Sequence, residues 1–377
     1  MLKKISLPVL VTVMCLMMTV VVGLVYLNQK NQKKVKVVQK TNLEVSRTDY
    51  STVARKTLDW IDNQRNDQGW YILERGCDFT KKTCDTVWDN QEGNKDGLIA
   101  TWARFNFYQQ TKDPKDLEIV KSDINRFYEK YPNGVDNTLW ICKITYDMWK
   151  SDLFDQTTKD KLEKICFESK IATSKNLFDE VTSRNNIRNK VAENKNVWES
   201  WDGYSLLLRG FNAYITTSTD LVYKYLWKND LSYLDSAKKN FYEAKAIIDK
   251  EPTFSTGDKC LLAMSALDIY EAGKEEKYFF DQAKNLYDTL VLNSDAPRKA
   301  TTPTCGLLTK RLLKITADEK YLKSLEFFGN VLVKFNYDGG VNVLVSDNSF
   351  YKSDKGLVYA WYKDVVENGL MVELLRN

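Results

Sequence analysis

Residues 96–108, DGLIATWARFNFY, are followed after a short gap by residues 113–131, DPKDLEIVKSDINRFYEKY. The first segment is apolar almost all round, as in a helix buried on both sides. The second puts its apolar residues three and four apart and charges the remaining face, the pattern of a helix with one side in water. A Pro just inside its start and an Asp before it supply the entry signals of a helix N-terminus. An inner helix followed by an outer one is a hairpin, and the rest of the chain repeats it.

Five more apolar segments occur: DNTLWICKITYDMW (136–149), DGYSLLLRGFNAYI (202–215), GDKCLLAMSALDIY (257–270), CGLLTKRLLKI (305–315) and NGLMVELL (368–375). Most of the six open with a dipeptide of Asp, Asn and Gly, residues that favour caps and tight turns. Amphipathic segments such as EEKYFFDQAKNLYDTLV (275–291) alternate with them. Periodicity predicts twelve helices, over 50–65, 97–111, 115–130, 136–150, 156–169, 203–226, 231–249, 257–272, 275–292, 304–316, 319–335 and 363–375. Six inner and six outer helices make an all-α (α/α)6 toroid. An open solenoid would need a fixed repeat, but here the period drifts and no consensus recurs.

Three longer stretches break the helical pattern: 66–96, 170–200 and 336–362. Each leads into the N-terminus of an inner helix, so all three are expected at one mouth of the ring, the first with a short strand or hairpin. Long loops gathered on one face commonly build a site.

Outside the ring, Ile5–Leu27 is uncharged and long enough to span a bilayer as a helix. No small-residue cleavage site follows, so residues 1–27 read as an uncleaved signal anchor, 28–45 as a lysine-rich stalk and 46–377 as the barrel domain. Residues 1–40 hold seven lysines and no acid, so the net charge of +4 leaves −3 for the remainder. Nucleic-acid binding is not implied. Five of those lysines follow the apolar stretch, which by the positive-inside rule places the domain in the cytoplasm. Six cysteines in the soluble part, Cys77, Cys84, Cys142, Cys166, Cys260 and Cys305, without a CxxC pair, suit disulfides and an extracytoplasmic domain instead. Cys77 and Cys84 would staple a loop.

The chain of 377 residues has no histidine, which excludes His-dependent triads, His-ligated metals and a His base. Carboxylates and aromatics concentrate where the mouth is expected. Trp88, Asp89 and Asp96 precede the first inner helix, and Asp136 and Trp140 the second. Trp198, Glu199, Trp201, Asp202 and Tyr204 precede or open the third, Asp258 the fourth, and Trp361 and Glu367 the last. Indoles stack on sugar rings and carboxylates bond hydroxyls, so these residues form a candidate glycan cleft. Glycoside hydrolysis needs two carboxyl groups and neither metal nor cofactor. Asp96, Asp136, Asp202 and Asp258 also stand where N-caps are wanted, and Trp140 and Trp102 suit a core. Glu199 lies between two tryptophans ahead of its helix, and Glu367 in the first turn of the last one.

This pattern resembles the six-hairpin glycosidase superfamily, which includes glucoamylases and trehalases. NVWESWDGYSLLL (196–208) is similar to the glucoamylase segment in which the Glu after a Trp is the general acid; that resemblance implies Glu199 as acid and Glu367, with Asp364 beside it, as the base. Asp96 is the competing base, and a trehalase-like alignment favours Asp202. The resemblance also implies inverting hydrolysis. The expected protein is a membrane-anchored, extracytoplasmic, monomeric glycoside hydrolase with a carbohydrate substrate. A non-catalytic glycan- or protein-binding toroid is the alternative, and a polysaccharide lyase using Tyr204, Tyr359 and Arg209 the next.

Overall fold

The structure is a computed structural model. It describes residues 47–71, 74–78, 83–89, 97–135, 140–169, 197–250, 256–273, 277–289, 303–334, 351–353, 356–358 and 361–376; within these, 47–49, 74–89, 197–210, 327–334 and 351–367 are described by secondary structure alone. Residues 1–50 and 51–377 are separate units. The apolar stretch 5–27 lies outside the described residues, among which no helix is long and apolar enough to cross a membrane.

Twelve helices are found among the described residues: α1 (Arg47–Asp62), α2 (Leu98–Thr111), α3 (Pro114–Lys130), α4 (Ile141–Trp149), α5 (Gln156–Glu168), α6 (Val197–Lys228), α7 (Leu231–Lys250), α8 (Thr256–Gly273), α9 (Lys277–Tyr287), α10 (Pro303–Thr316), α11 (Glu319–Lys334) and α12 (Val365–Leu375). Five short strands accompany them: β1 (Glu74–Asp78), β2 (Thr83–Asp89), β3 (Tyr351–Ser353), β4 (Gly356–Val358) and β5 (Trp361–Asp364).

The even-numbered helices form a closed cycle. α2 touches α4, α4 touches α6, and so on through α8 and α10 to α12, which packs back on α2. Each of the first five inner helices also packs on the outer helix that follows it. The outer helix returns the chain, so the six inner helices run in one direction, from a mouth where they begin to a floor where they end. Burial follows the sequence pattern. In α2 every residue from Leu98 to Phe107 is buried, whereas in α3 only Asp116, Val120, Asp123, Ile124 and Phe127 are. The expected (α/α)6 toroid is the observed fold.

Polar residues join α1 to this ring. Arg104, on inner helix α2 and almost fully buried, bonds Asp116 of α3 at 2.7 Å and Asp62 of α1 at 2.6 Å. Arg55 of α1 reaches the same Asp116. α1 is thereby fixed as an outer helix. At the other seam Gly369 of α12 lies against α2, where a Cβ would come within 3.2 Å of the Ala100 backbone.

Of the helix boundaries that differ from expectation, three bear on candidate site residues. α4 begins at Ile141 rather than 136, because Trp140 takes a left-handed backbone (φ 59°) that cannot continue a helix. α6 begins at Val197 rather than 203, so Glu199 is in its first turn, not ahead of it, and Asp202 is inside the helix, not its cap. α8 begins at Thr256, which makes Asp258 a first-turn residue whose charge favours the helix dipole.

Candidate active site

Two of the three expected excursions meet at the mouth. β1 and β2 are an antiparallel hairpin, as expected for 66–96, and β5 pairs with the other edge of β1 to give the order β2-β1-β5. The register aligns Glu74 with Asp89 on one side and with Asp364 on the other. Three acidic positions therefore share one cross-strand row. β5 runs directly into α12, which carries Glu367 in its first turn. Trp361 is opposite Cys77 in the same sheet, and Trp88 is next to Asp89 at the end of β2. The second excursion, 170–196, is outside the described residues, as are Asp96 and Asp136. The side chains of Cys77 and Cys84 are not described, though their strands are neighbours.

The strand hairpin is reached through a clamped turn. Asp123 of α3 is buried and accepts both guanidinium nitrogens of Arg65 at 2.8 Å, Arg126 at 2.9 Å, the Tyr71 hydroxyl at 3.0 Å and Thr101 at 3.1 Å. Gly69 has φ 82°, and a Cβ there would strike the Arg126 guanidinium at 2.7 Å. Only glycine satisfies both conditions. A buried carboxyl group is stable only where its oxygens find donors, and the same bonds set the path of residues 65–71 toward β1.

The wall of the mouth is stepped. Ser265 of α8 donates to Ser218 of α6 at 2.9 Å, so the start of α8 stands level with residue 209 of α6. α6 continues beyond that level for about twelve residues, roughly 18 Å at the helical rise. Trp198, Glu199, Trp201, Asp202 and Tyr204 belong to this projecting part. α4 is the low point, since Asp220 of α6 accepts the Cys142 N–H at 2.9 Å, at the very start of that helix. Disulfides brace both neighbourhoods: Cys142–Cys166 joins α4 to α5, and Cys260–Cys305 joins the early turns of α8 and α10.

Trp140, an expected sugar platform, is 1% exposed and packs edge-on against Trp102 with ring centroids 6.5 Å apart. It is a core residue. Its ring offers no face to a ligand, and its place among the binding candidates is corrected accordingly. Asp258 is half-buried at the mouth end of α8.

At the floor the ring is closed by charged side chains that the sequence reading did not single out. Lys143 of α4 donates to the Tyr223 hydroxyl at 2.7 Å and pairs with Asp147 at 3.5 Å, which also accepts the Trp102 indole N–H at 3.2 Å. Asp268 of α8 bonds Arg311 of α10 at 2.8 Å and Thr219 of α6 at 3.2 Å. Asn106 of α2 donates to Glu373 of α12 at 3.0 Å, and Glu373 pairs with Arg376. Lys310 donates to the carbonyls of Glu373 and Arg376 at 2.9 and 2.6 Å, filling orphan acceptors at the C-terminus of α12. Burial works against the Lys143 ammonium, but Asp147, Tyr223 and Asp268 outweigh it and hold it above the ordinary lysine range. Burial dominates at other groups nearby. It pushes the Asp220 carboxyl up to about 7, with the Asp268 charge adding to the rise, and the Lys310 ammonium down to about 8, with Arg376 adding to the fall; it also raises Asp268. A charged residue inside an apolar stretch, such as Lys143 four before Asp147 or Arg311 in LLTKRLLKI, was the available signal.

Among the described residues no group of three or more Cys, Asp or Glu is placed to hold a metal ion.

No protein-family model and no curated protein sequence matches this chain. Solved structures share its fold. The Lin0763 protein from Listeria innocua aligns with a TM-score of 0.52 at 12% identity, over 86% of this chain and 96% of that one. A family 76 glycoside hydrolase (mannosidase), Bt3792 from Bacteroides thetaiotaomicron, aligns with a TM-score of 0.51 at 11% identity, over 87% and 97%. What these likenesses define is the fold, an (α/α)6 toroid.

Proposed function

We propose that the chain is a glycoside hydrolase that cleaves a polysaccharide or oligosaccharide by carboxylate acid/base catalysis. The observation that carries this reading is the polarity of the ring. Its floor is closed by ion pairs, while the acid- and aromatic-bearing connections enter at the other end, the acidic row Asp89–Glu74–Asp364 among them. The fold shared with a family 76 glycoside hydrolase supports it.

Six helix N-termini point at the mouth, and their partial positive charge favours ionised carboxyl groups there. That suits a base, the role assigned to Glu367 in the first turn of α12 or to Asp96 before α2. The acid must resist ionisation, which apolar packing achieves; Glu199 between Trp198 and Trp201 is assigned that role. Trp88, Asp89, Asp136, Trp201, Asp202, Tyr204, Asp258 and Trp361 are the binding candidates. An inverting reaction needs acid and base about 6.5–9.5 Å apart with a water between them.

The ring is proposed to lie outside the cytoplasm, anchored through residues 5–27. Two disulfides favour an oxidising compartment, against the lysines after the anchor. Protease added to intact cells digests an exposed ring and spares a cytoplasmic one.

A reducing-end assay on mannans first, then other glycans, tests the activity with wild type, Glu199→Gln and Glu367→Gln. Release by wild type and loss by about a hundredfold or more in either variant places that carboxyl in the reaction. Binding without release, equal in all three, makes the ring a receptor.

A further inference from the structure

Among the described residues four large apolar side chains stand exposed, Leu226, Leu231, Tyr242 and Tyr278, and all belong to the third and fourth hairpins. Leu231 and Tyr242 share one stripe of α7 with Asp235 and Lys238, at helical spacings of four, seven and eleven residues. Tyr278 is in the first turn of α9, beside them. The Tyr242 and Tyr278 rings are 47% and 44% exposed, lie 6.1 Å apart between centroids and are tilted by 40°. Both rest on Phe279, which is fully buried, at 5.8 and 5.3 Å. Phe241 supports Tyr242 from below at 5.7 Å. The two rings are therefore supported by core residues while both tyrosines stay nearly half exposed.

We propose that Tyr242 and Tyr278 form an accessory carbohydrate-binding shelf on the outer layer, separate from the mouth, that takes adjacent units of an uncharged glycan chain. Aromatic faces with a polar hydroxyl at the wet end fit the apolar faces and hydroxyl rims of sugar rings. Flanking charges indicate the kind of ligand. They are balanced pairs, Asp235 with Lys238 at 3.7 Å, Lys245 with Asp249 at 2.6 Å and Lys277 with Asp281 at 3.9 Å. Such a border offers donors and acceptors to hydroxyls without a net field to attract an anionic polymer or an acidic lipid surface. The choice of a glycan rests on the proposed hydrolase reading, while the location rests on the rings alone.

The test is affinity electrophoresis of the full chain in detergent, through native gels cast with soluble α-mannan or with β-glucan. One of these polymers is expected to retard the wild type. Tyr242→Ala/Tyr278→Ala should weaken that retardation by about tenfold or more, and Tyr242→Phe/Tyr278→Phe should keep it, since stacking needs the ring. Reducing-end release from a short oligosaccharide, run in parallel, separates the two readings. Retardation lost with hydrolysis unchanged supports the shelf and leaves the catalytic reading intact. Retardation lost where no form hydrolyses supports the shelf and removes the hydrolase. Equal mobility of all forms overturns the shelf whatever the hydrolysis assay gives. A slower, concentration-dependent band in glycan-free gels that the double Ala variant lacks also overturns it, because the rings then meet a second copy of the chain.

Discussion

Asp220, on α6, accepts the backbone N–H of Cys142 at 2.9 Å and so caps α4 from a neighbouring helix. The N-cap position of α4 is Trp140, whose side chain makes no cap hydrogen bond. The cap is tertiary, and it fixes the height of α4 against α6.

The carboxyl that does this is shifted up to about 7 by burial. Between an unfolded value near 4 and that folded value, the native protein binds more protons than the unfolded chain, so stability falls as pH rises from about 4 to 7. Asp220→Asn keeps an acceptor for Cys142 and removes the titration. Its melting temperature should match or exceed wild type at pH 8 and vary less between pH 4 and 7. Asp220→Ala also removes the titration but loses the acceptor, so it should lie about 1–2 kcal/mol below Asp220→Asn at every pH. Thermal melts across this range check both.

Lys310 has the opposite sign. Burial lowers its pKa to about 8, against about 10.5 unfolded. Between those values the unfolded chain holds more protons, so this group's contribution to stability increases as pH rises from 8 to 10.5. Lys310→Met leaves the carbonyls of Glu373 and Arg376 without this donor and should cost about 2 kcal/mol at pH 7. The gap from wild type should widen above pH 8, which denaturant titrations at pH 7 and pH 9.5 can detect.

At the floor, Arg311→Met leaves buried Asp268 with Thr219 but no ion pair, and Asp268→Leu leaves Arg311 only Glu271 and the Met264 carbonyl. Each should cost about 3–5 kcal/mol, while the double variant should recover much of the loss, because a buried pair replaced by packed apolar groups is often near neutral. A double-mutant cycle by denaturation measures the coupling. Additive losses would mean that the two side chains do not act as a pair.

The α12–α2 seam is sensitive to volume. Gly369→Leu forces a side chain against the Ala100 backbone and Ile99, where even a Cβ comes within 3.2 Å. Overpacking of this kind costs about 1–3 kcal/mol. Hydrogen exchange should then rise first in α12 and α2 and leave α6–α7 unchanged. A uniform rise would show that the seam is not the weak point.

Most of the fold was legible because inner and outer helices differ in kind: ten consecutive buried residues in α2 against five scattered ones in α3. Boundaries failed where local signals competed. Asp202-Gly203 imitates a helix start, yet α6 was already under way at Val197. Trp140 was read both as a core residue and as a platform, and only the packing against Trp102 decides between them. The floor was illegible for a different reason. Its partners lie far apart in the chain, Asn106 and Glu373 by 267 residues, and no local pattern encodes such a pair. The mouth was read from composition, which located its acids without placing any two of them together; the alignment of Glu74 with Asp89 and Asp364 is a matter of strand register.

The last inner helix closes against the first, and the strand that leads into it pairs with one laid down near the start of the ring. Synthesis therefore delivers the closing piece last. Until α12 leaves the ribosome, five-sixths of a cylinder must wait with the flanks of α2 and α10 uncovered, a state open to chaperones and to aggregation. A stop codon placed just before α12 would leave the other eleven described helices in place and still yield no ring.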